Sequence, residues 1–452
     1  MKGGAARLFG TNGIRGVFGA DLDIPFVYDM AMSISAHLGG GPVLVGHDGR
    51  HSGPAVAKAV CSALNYAGAD CSLAGLVPTP CLEYSTRKLG YRGGIMVTAS
   101  HNPPEYNGMK VVASDGVEIP REDEEKIEGI YRDKAFRPGE KYGVMRAEDG
   151  AIPAYLDGIK SQVDASAVRA RGPSVVIDAG NGAQAVAAPQ LCRDLGCTVE
   201  VINSGIDGDF PGRGPEPTPA NLGGLSEAVL RTGADLGVAF DGDGDRSLFC
   251  DDKGEVLTGD RSALLLAGFV LGSSPGSAVV TCLNSGGAIE GVAAGHGSPV
   301  IRTKVGSVAV SRRMVSEDAL VGFEENGGFM YGRHGQVRDG AMSLALMLGL
   351  VSSSDMPLSS MAAALPPSFT SKEKIPCSAA DAERVLDVLR SEHPEADTTD
   401  GIRIAQGGSW TMVRPSGTEP LIRVYAESHS EAALSELLSG QVRRIREILD
   451  GG

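Results

Sequence analysis

The fold is indicated most clearly by a ten-residue stretch, LGVAFDGDGD, at positions 236–245. Its first half is an apolar, strand-like run, and its second half is a loop in which aspartates alternate with glycines. Comparable apolar runs that end in polar or glycine-rich loops recur at positions 42–46, 94–97, 174–177 and 278–281. Because each loop passes into a helix-like stretch, the pattern predicts βαβ units around mostly parallel sheets. Ligands of such folds gather beyond the carboxyl ends of the strands, which is where these loops fall.

The length of the chain predicts several domains. Its 452 residues correspond to three or four domains at roughly 150 residues each. Breaks near positions 150 and 256 and within 365–376 divide the chain into segments 1–150, 151–255, 256–365 and 366–452. The first three segments are predicted to be α/β domains and the last a smaller α+β domain. The stretch 365–376, which contains Pro366-Pro367, is interpreted as a linker. The elements expected in the last segment are helices near 379–392 and 431–449 and strands near 402–405, 409–413 and 421–427.

Charge and composition exclude several classes of protein. Lysine plus arginine number 41 and aspartate plus glutamate 56, a net charge of −15, which argues against nucleic acid or an anionic membrane as the main partner. The start of the chain lacks the apolar core of a signal peptide, and the longest apolar stretches are too short to span a bilayer. The eight cysteines are scattered without a C-x-x-C pair, which is typical of free thiols in a reducing cytoplasm. We therefore expect a cytoplasmic protein whose partner is a small molecule rather than nucleic acid or a membrane. The sequence leaves the oligomeric state open, monomer or dimer.

The aspartate-rich loop predicts a metal site. Asp241, Asp243 and Asp245 are separated by glycines, so three carboxylates can converge on one hard divalent cation. An EF-hand is disfavoured because Arg246 stands where its turn needs glycine and Asp252 replaces the bidentate glutamate. The alternative is a solvated acidic turn. The small number of protein ligands favours Mg²⁺ shared with a phosphate oxygen.

A serine loop follows another apolar run. In TASHNPP, at positions 98–104, the Ser100 hydroxyl stands beside the His101 imidazole, so Ser100 can act as a nucleophile or phosphoryl carrier. The alternative is a helix-capping serine next to a surface histidine. Arg15, flanked by glycines, and Lys110, ten residues beyond Ser100, are weak signals in isolation.

Two further loops offer groups that bind phosphate and sugar hydroxyls. The loop RPSGTEP, at 414–420, combines an arginine, two hydroxyls and a glycine that exposes backbone N–H groups. Such groups form a phosphate-binding nest, and the alternative is a plain β-turn. The residues expected to contribute are Arg414, Ser416, Gly417, Thr418 and, three residues past the loop, Arg423. In the loop FEENGG, at 323–328, Glu324 and Asn326 can accept hydrogen bonds from sugar hydroxyls, with a solvated turn as the alternative.

A dinucleotide site is disfavoured. Residues 180–185 match G-x-G-x-x-A after a strand-like run, with Glu200 about 20 residues further on. Glu200 lies inside the next apolar run rather than at its end. We therefore do not expect NAD.

Taken together, these loops resemble those of the α-D-phosphohexomutase family. Positions 98–103 are similar to its phosphoserine loop, 241–246 to its metal loop, 323–328 to its sugar loop and 414–420 to its phosphate loop. They occur in the family's order, and the resemblance extends from Leu8 to Glu427. It implies four domains around a central cleft, three of them α/β with mixed sheets and the last a smaller α+β domain, with one loop from each.

The resemblance also implies a role for each loop. Ser100 would be phosphorylated in the resting enzyme, and its phosphate would complete a site for one Mg²⁺ ion with Asp241, Asp243 and Asp245. Ser100 would phosphorylate a hexose monophosphate, and the resulting hexose 1,6-bisphosphate, which is also the implied activator, would turn around and return its other phosphoryl group. The residues implied in acid–base catalysis and charge balance are Arg15, His101, Lys110 and Arg246. Glu324 and Asn326 would hold sugar hydroxyls, and the 414–420 loop with Arg423 would hold the phosphate that is not reacting.

The choice of sugar depends on smaller features. The opening at 8–16, the stretch 302–306 and the sugar loop look like those of archaeal members assigned as phosphoglucosamine mutases. Bacterial phosphoglucosamine enzymes carry histidine where this chain has Gly328, and archaeal relatives often have aspartate where it has Ser307. We expect interconversion of glucosamine 6-phosphate and glucosamine 1-phosphate. The alternatives are phosphomannomutase or phosphoglucomutase activity and, more remotely, a serine phosphatase or a non-catalytic sugar-phosphate binder.

Overall fold

Four β-sheets follow one another along the chain in this computed structural model, which describes residues 7–10, 12–416 and 420–451. We refer to each sheet and its helices as domains I to IV. The first three sheets mix parallel and antiparallel strands, and the fourth is antiparallel throughout. The expected architecture of three mixed-sheet α/β domains and a smaller α+β domain is confirmed. The exact domain limits stay a prediction.

Domain I has a six-stranded sheet in the order β1-β5-β4-β2-β3-β6. Its first helix begins after Asp23, whose carboxylate accepts a hydrogen bond from the Phe26 N–H, and ends at Gly39 in the left-handed conformation. The strands are β1 (Ile14–Val17), β2 (Val43–His47), β3 (Cys71–Leu76), β4 (Gly93–Val97), β5 (Tyr106–Ala113) and β6 (Met145–Ala147). The helices are α1 (Ile24–Leu38), α2 (Gly53–Tyr66), α3 (Thr79–Lys88) and α4 (Arg121–Arg132).

Domains II and III each carry a parallel strand core extended by antiparallel strands, in the orders β10-β9-β7-β8 and β12-β11-β13-β14-β15. The elements of domain II are α5 (Ala151–Lys160), α6 (Ala165–Arg171), β7 (Ser174–Asp178), α7 (Ala188–Asp194), β8 (Thr198–Ile202), α8 (Gly223–Thr232), β9 (Leu236–Phe240) and β10 (Ser247–Cys250), with short 3₁₀ helices at Ala183–Val186 and Pro219–Asn221. The elements of domain III are α9 (Gly259–Ser273), β11 (Val279–Cys282), α10 (Ala288–Ala294), β12 (Val300–Thr303), α11 (Ser307–Glu317), β13 (Val321–Phe323), β14 (Phe329–Tyr331), β15 (Gly335–Arg338), α12 (Gly340–Ser352) and α13 (Leu358–Ala363).

The predicted linker at 365–376 is wrong, because most of this stretch belongs to the sheet of domain IV. Most of the stretch 365–376 is a strand, β16, which pairs along its whole length with the antiparallel strand β19. As an edge strand it is mostly exposed, with only Ile375 buried, so its sequence carries no apolar alternation. The remaining elements are close to those expected: α14 (Ala379–Glu392), β17 (Ile402–Gln406), β18 (Ser409–Pro415), β19 (Leu421–Ser428) and α15 (Glu431–Asp450). The bounds of β16 are Phe369–Pro376, so the linker is only a few residues long.

One apolar core extends across domains I, II and III, beside smaller clusters within each of them, whereas the main core of domain IV is separate. Helix α12 is buried on nearly every face and packs against helices α5, α6, α7 and α9. The shared core includes Leu44, Leu191, Leu266 and Leu346, and the core of domain IV includes Val385, Val413 and Val424. A small cluster of Leu283, Trp410, Met412 and Tyr425 joins domain III to domain IV. The first three domains therefore form one packed body on which domain IV docks.

Within the described ranges, no helix combines the length and the apolar character needed to cross a membrane. A cytoplasmic location stays a prediction.

Candidate active site

The serine and aspartate loops both begin at the carboxyl ends of buried strands. The serine loop follows β4, which is parallel to β2, and the aspartate loop follows β9, which is parallel to β7. The sugar loop follows β13, which is parallel to β11. Three loops from three domains are thus directed to one region, as ligand sites in such sheets usually are.

The serine loop holds Ser100 in a strained conformation. Ser100 is fully buried and has a φ of 52°, in the left-handed region that non-glycine residues rarely adopt. Its N–H donates to Thr98 Oγ1 at 2.8 Å, and Thr98 Oγ1 donates to Asp48 Oδ2 at 2.7 Å. Strain of this kind costs about 1–3 kcal/mol and persists only where surrounding contacts enforce it.

Arg50 supplies most of the contacts that shape this loop. Its guanidinium is buried, pairs with Asp48 and donates to the backbone carbonyls of Ser100, Asn102, Pro103 and Tyr106. Sequence analysis identified the polar loop that contains Arg50 but assigned it no role. The sequence feature that pointed to Arg50 was its place near Asp48, just after the strand β2.

The Ser100 hydroxyl contacts the metal loop directly. Ser100 Oγ donates to Asp241 Oδ2 at 3.0 Å and lies 3.3 Å from His101 Nδ1. Gly242 allows this approach, because a Cβ atom there would stand 2.7 Å from the Ser100 carbonyl oxygen. The two loops, 141 positions apart in sequence, meet through one glycine.

The three aspartates form a buried group in which other side chains bind some carboxylate oxygens but not all of them. Asp241, Asp243 and Asp245 each offer a carboxylate oxygen within 4.8 Å of the others. Lys110 Nζ donates to Asp243 Oδ2 and Asp245 Oδ2, both at 2.9 Å, and Thr79 Oγ1 donates to Asp243 Oδ2 at 2.6 Å. Asp243 Oδ1 and Asp245 Oδ1 are buried and have no hydrogen-bond partner among the described residues. Buried unpartnered carboxylate oxygens fit a hard cation such as Mg²⁺.

The charges in this group are distributed unevenly. Burial and repulsion from Asp245 and Asp243 raise the pKa of Asp241 well above its usual range. Burial would also raise the pKa of Asp243, but Lys110 and the Thr79 hydrogen bond hold it below its usual value. Burial would lower the pKa of Lys110, and the two aspartates raise it instead. Lys110, a weak signal in the sequence, is therefore a charged partner of the metal loop.

The other predicted basic residues surround Ser100. Arg15 Nη1 donates to Asn102 Oδ1 at 2.7 Å, and burial lowers the pKa of Arg15. The Arg246 N–H donates to Asp241 Oδ1 at 3.0 Å. Burial and the guanidinium groups of Arg246 and Arg15 lower the pKa of His101 to about 2, so its imidazole is neutral at neutral pH.

The sugar loop reaches this group through a residue that sequence analysis missed. Glu324 Oε2 accepts from Arg338 Nη1 at 3.1 Å, and Arg338 Nη2 donates to Asp245 Oδ2 at 2.6 Å. Asn326 Oδ1 accepts from the Gly328 N–H at 3.2 Å. No sequence feature indicated a role for Arg338, because it is the last residue of β15 and lies outside the loops that were predicted to be functional. Thr79 was missed as well, and its only signal was its place just after β3 between two prolines.

The phosphate-loop residues lie in domain IV. Arg414 and Arg423 are cross-strand neighbours on β18 and β19. Arg414 pairs with Asp400 at 2.8 Å. The Ser416 N–H donates to the Leu421 carbonyl across the base of the loop. Gly417 and Thr418 lie outside the described residues.

Comparison with known proteins identifies the family. Sequence models of the phosphoglucomutase/phosphomannomutase α/β/α domains I, II and III match residues 6–138, 153–254 and 258–369, and that of the C-terminal domain matches 369–440. The chain belongs to the phosphoglucomutase/phosphomannomutase family. It is therefore a phosphohexomutase, an isomerase that transfers a phosphoryl group, and the resemblance seen in the sequence is confirmed. A hexose phosphate is accordingly its small-molecule partner.

Individual relatives of this phosphohexomutase carry different substrate names. The phosphoglucosamine/phosphogalactosamine mutase of Sulfurisphaera tokodaii is 38% identical, with 98% of this chain and 99% of the relative covered. The phosphoglucomutase/phosphomannomutase of Thermococcus kodakarensis is 36% identical over 98% and 100%. The crystal structure of a phosphoglucomutase/phosphomannomutase family protein from Burkholderia thailandensis has a TM-score of 0.89 at 28% identity, over 99% of this chain and 98% of that one.

Proposed function

We propose that this phosphohexomutase interconverts glucosamine 6-phosphate and glucosamine 1-phosphate through a phosphorylated Ser100 and a hexose 1,6-bisphosphate. The observation that carries the proposal is the contact between Ser100 Oγ and Asp241, beside two buried unpartnered oxygens of Asp243 and Asp245. The choice of glucosamine is supported by the phosphoglucosamine mutases among the relatives. Phosphoglucomutase or phosphomannomutase activity is the second candidate, because another relative bears that name.

The metal loop is proposed to hold one Mg²⁺ ion. Asp241, Asp243 and Asp245 would be its protein ligands together with the Ser100 phosphate. When bound, the ion supplies stabilisation of the negative charge on the phosphoryl oxygens. The Lys110 ammonium and the Thr79 hydroxyl occupy the other oxygen of Asp243, so this carboxylate presents its free Oδ1 in a fixed direction.

Side chains of this protein transfer the phosphoryl group and the protons. In the first half-reaction the bond between phosphorus and Ser100 Oγ breaks and a bond from phosphorus to a sugar oxygen forms, while the sugar hydroxyl loses its proton and Ser100 Oγ gains one. In the second half-reaction the bond from phosphorus to the other phosphorylated sugar oxygen breaks and the bond to Ser100 Oγ forms again, while Ser100 Oγ loses its proton and that sugar oxygen gains one. We propose that His101, 3.3 Å from Ser100 Oγ, and Lys110 move these protons. Phosphoryl transfer depends mainly on positioning and charge stabilisation, which the buried cations Arg15 and Arg246 provide.

The remaining predicted residues bind the parts of the substrate that do not react. Glu324 and Asn326 are proposed to accept hydrogen bonds from sugar hydroxyls. Arg414, Ser416, Gly417, Thr418 and Arg423 are proposed to hold the second phosphate in both orientations of the intermediate. Among solved relatives, an N-acetylphosphoglucosamine mutase variant from Aspergillus fumigatus is described in complex with glucose 1,6-bisphosphate, which supports a bisphosphate as intermediate and activator here.

Phosphorus NMR tests the proposal directly. The purified chain is incubated with Mg²⁺, a trace of hexose 1,6-bisphosphate, and the 6-phosphate of glucosamine, glucose or mannose in separate samples. Accumulation of glucosamine 1-phosphate at the highest rate is the expected result. Faster conversion of another sugar would assign the second candidate, inorganic phosphate would indicate a phosphatase, and no change would indicate a binding protein.

Two substitutions test the proposed centre. Ser100→Ala is expected to abolish isomerisation because it removes the atom that carries the phosphoryl group, while Trp410 fluorescence stays that of the folded protein. Asp243→Ala is expected to lower the rate by a factor on the order of 100 or more, as loss of a metal ligand does. The matched control is Ser85→Ala, which removes a buried hydroxyl that donates to the Ala151 carbonyl rather than to the metal loop. Full turnover by Ser100→Ala would refute the carrier role.

A further inference from the structure

Arg338 joins the metal loop to the sugar loop. Its side chain is buried at the end of β15, and its two terminal nitrogens reach carboxylates that come from different domains. Nη2 donates to Asp245 Oδ2 at 2.6 Å in domain II, and Nη1 donates to Glu324 Oε2 at 3.1 Å in domain III. One planar guanidinium therefore sets the distance and the angle between the two carboxylates.

Domain I contributes to the same position. With its amide nitrogen turned toward Glu118, Asn12 accepts a hydrogen bond from Arg338 Nη2 at 2.6 Å. Burial would lower the pKa of Arg338, but Asp245 and Glu324 raise it, so the guanidinium stays charged. Arg338 is thus a permanent cation held by residues of three domains.

The sugar loop is shaped to admit this side chain. A Cβ atom at Gly328 would stand 2.4 Å from Arg338 Cδ and 2.9 Å from Cγ. The aliphatic stem of Arg338 therefore lies directly against the loop that carries Glu324 and Asn326. The absence of a side chain at position 328 is what lets the guanidinium pass the loop and reach Asp245.

We propose that Arg338 is a positioning residue that couples the metal site to the sugar site. This inference rests on the proposed function, in which Asp245 binds Mg²⁺ and Glu324 binds the sugar. When one ligand fixes its carboxylate, Arg338 fixes the other carboxylate too, so the second ligand binds to loops that are already ordered. Sugar phosphate should therefore strengthen Mg²⁺ binding, and Mg²⁺ should strengthen sugar phosphate binding by the same factor.

Lysine at this position is the informative substitution. Arg338→Lys keeps the charge, but a single ammonium on a flexible stem cannot make two diverging ion pairs with fixed geometry. The matched control is Arg312→Lys. Arg312 also links domain III to domain I, through Asp115 at 2.7 Å and the Val117 carbonyl, without a contact to Asp245 or Glu324.

The experiment measures Mg²⁺ binding to the full-length, dephosphorylated protein by calorimetry. Dephosphorylated protein cannot transfer a phosphoryl group to a monophosphate, so no turnover interferes. Each protein is titrated alone and with saturating glucosamine, glucose or mannose 6-phosphate. For the wild type and Arg312→Lys, we expect the best sugar phosphate to tighten Mg²⁺ binding about fivefold or more, within the usual range of coupling between sites. For Arg338→Lys, we expect the factor to fall below about two and Mg²⁺ binding without sugar to weaken.

Two outcomes would overturn the inference. One is a wild-type protein that isomerises a sugar but shows no coupling, and the other is an Arg338→Lys variant with wild-type coupling. If Arg338→Lys does not fold, Glu324→Gln removes the ion pair from the other end and is expected to abolish the coupling at saturating sugar. If the wild type isomerises none of the three sugars, the proposed function fails. The titrations with Mg²⁺ alone then decide the inference, because an Arg338→Lys variant that binds Mg²⁺ as tightly as the wild type would refute it.

Discussion

Asp260 offers a quantitative test of the electrostatics of this fold. It is the second residue of α9 and is about nine-tenths buried. Its Oδ2 accepts from the Gly286 N–H at 3.2 Å, and within the described part of the chain its Oδ1 has no hydrogen-bond partner. Burial and repulsion from Glu325 and Glu427, which the Gly286 hydrogen bond and Arg302 do not offset, raise the pKa of Asp260 from 3.8 to about 7. Asp260→Asn keeps the shape of the side chain and removes the ionisation.

The sign and size of the effect follow from this pKa. Between pH 4 and pH 7 the folded protein holds a proton on Asp260 that the unfolded chain has lost, so the free energy of unfolding falls as pH rises. A change in pKa from 3.8 to about 7 corresponds to a total cost of about 4 kcal/mol above pH 7. Roughly 2.5 kcal/mol of that cost develops between pH 5 and pH 8. In Asp260→Asn, which cannot ionise at this position, the free energy of unfolding should not fall in this way as pH rises.

Urea unfolding at a series of pH values measures the difference. Trp410 is the single tryptophan of the chain and packs with Leu283 between domains III and IV, so its fluorescence reports unfolding in the region of Asp260. We expect Asp260→Asn to become more stable relative to the wild type by about 2.5 kcal/mol as pH rises from 5 to 8. The exposed Asp157→Asn is the control and should follow the wild type throughout. If the free energies of unfolding of Asp260→Asn and the wild type changed in parallel with pH, the reasoning would be refuted.

Two further substitutions test single contacts of the site. Thr79→Val removes the hydroxyl that donates to Asp243 at 2.6 Å, and we expect it to lower the free energy of unfolding by about 1.5–3 kcal/mol, as loss of a hydrogen bond to a charged group does. Urea unfolding measures this, and Thr79→Ser, which keeps the hydroxyl, should lose less than half as much. Gly328→Ala places a methyl group against the stem of Arg338 and should lower kcat/KM roughly tenfold, or about 1.4 kcal/mol. Gly335→Ala, whose Cβ would meet Val337 at an ordinary 3.5 Å, should keep wild-type kinetics, and equal kinetics for both variants would contradict the proposed packing.

Much of the fold could be predicted because its signals are local. Each apolar run that precedes a polar loop is a buried strand, and the helices and strands of domain IV begin and end within a few residues of the predicted positions. The strand β16 could not be predicted. It is polar and exposed because it lies at the edge of its sheet, and only its pairing with β19 makes it a strand.

The reactive side chains of the loops could be recognised in the sequence, but their supporting residues could not. The serine and aspartate loops could be recognised because their reactive side chains stand together directly after an apolar run, whereas Lys110 was only a weak signal. Thr79 and Arg338 could not be recognised, because their roles depend on partners 164 and 93 positions away. Arg50 lies between these cases, since its loop was recognised as polar while its bonds to four carbonyls of the serine loop were not foreseen.

The amino-acid order alone determined which reactive groups this protein has and on which loops they stand, since a strand followed by a polar turn is encoded within ten residues. Tertiary structure decided which atoms of those groups meet. It turned Ser100 into the left-handed region and used one oxygen of Asp243 and one of Asp245 for Lys110, Thr79 and Arg338. The other two oxygens have no partner among the residues that the structure describes. The physical reason is that the direction of a buried carboxylate is set by donors from other domains, and those donors come within reach only after the sheets have packed.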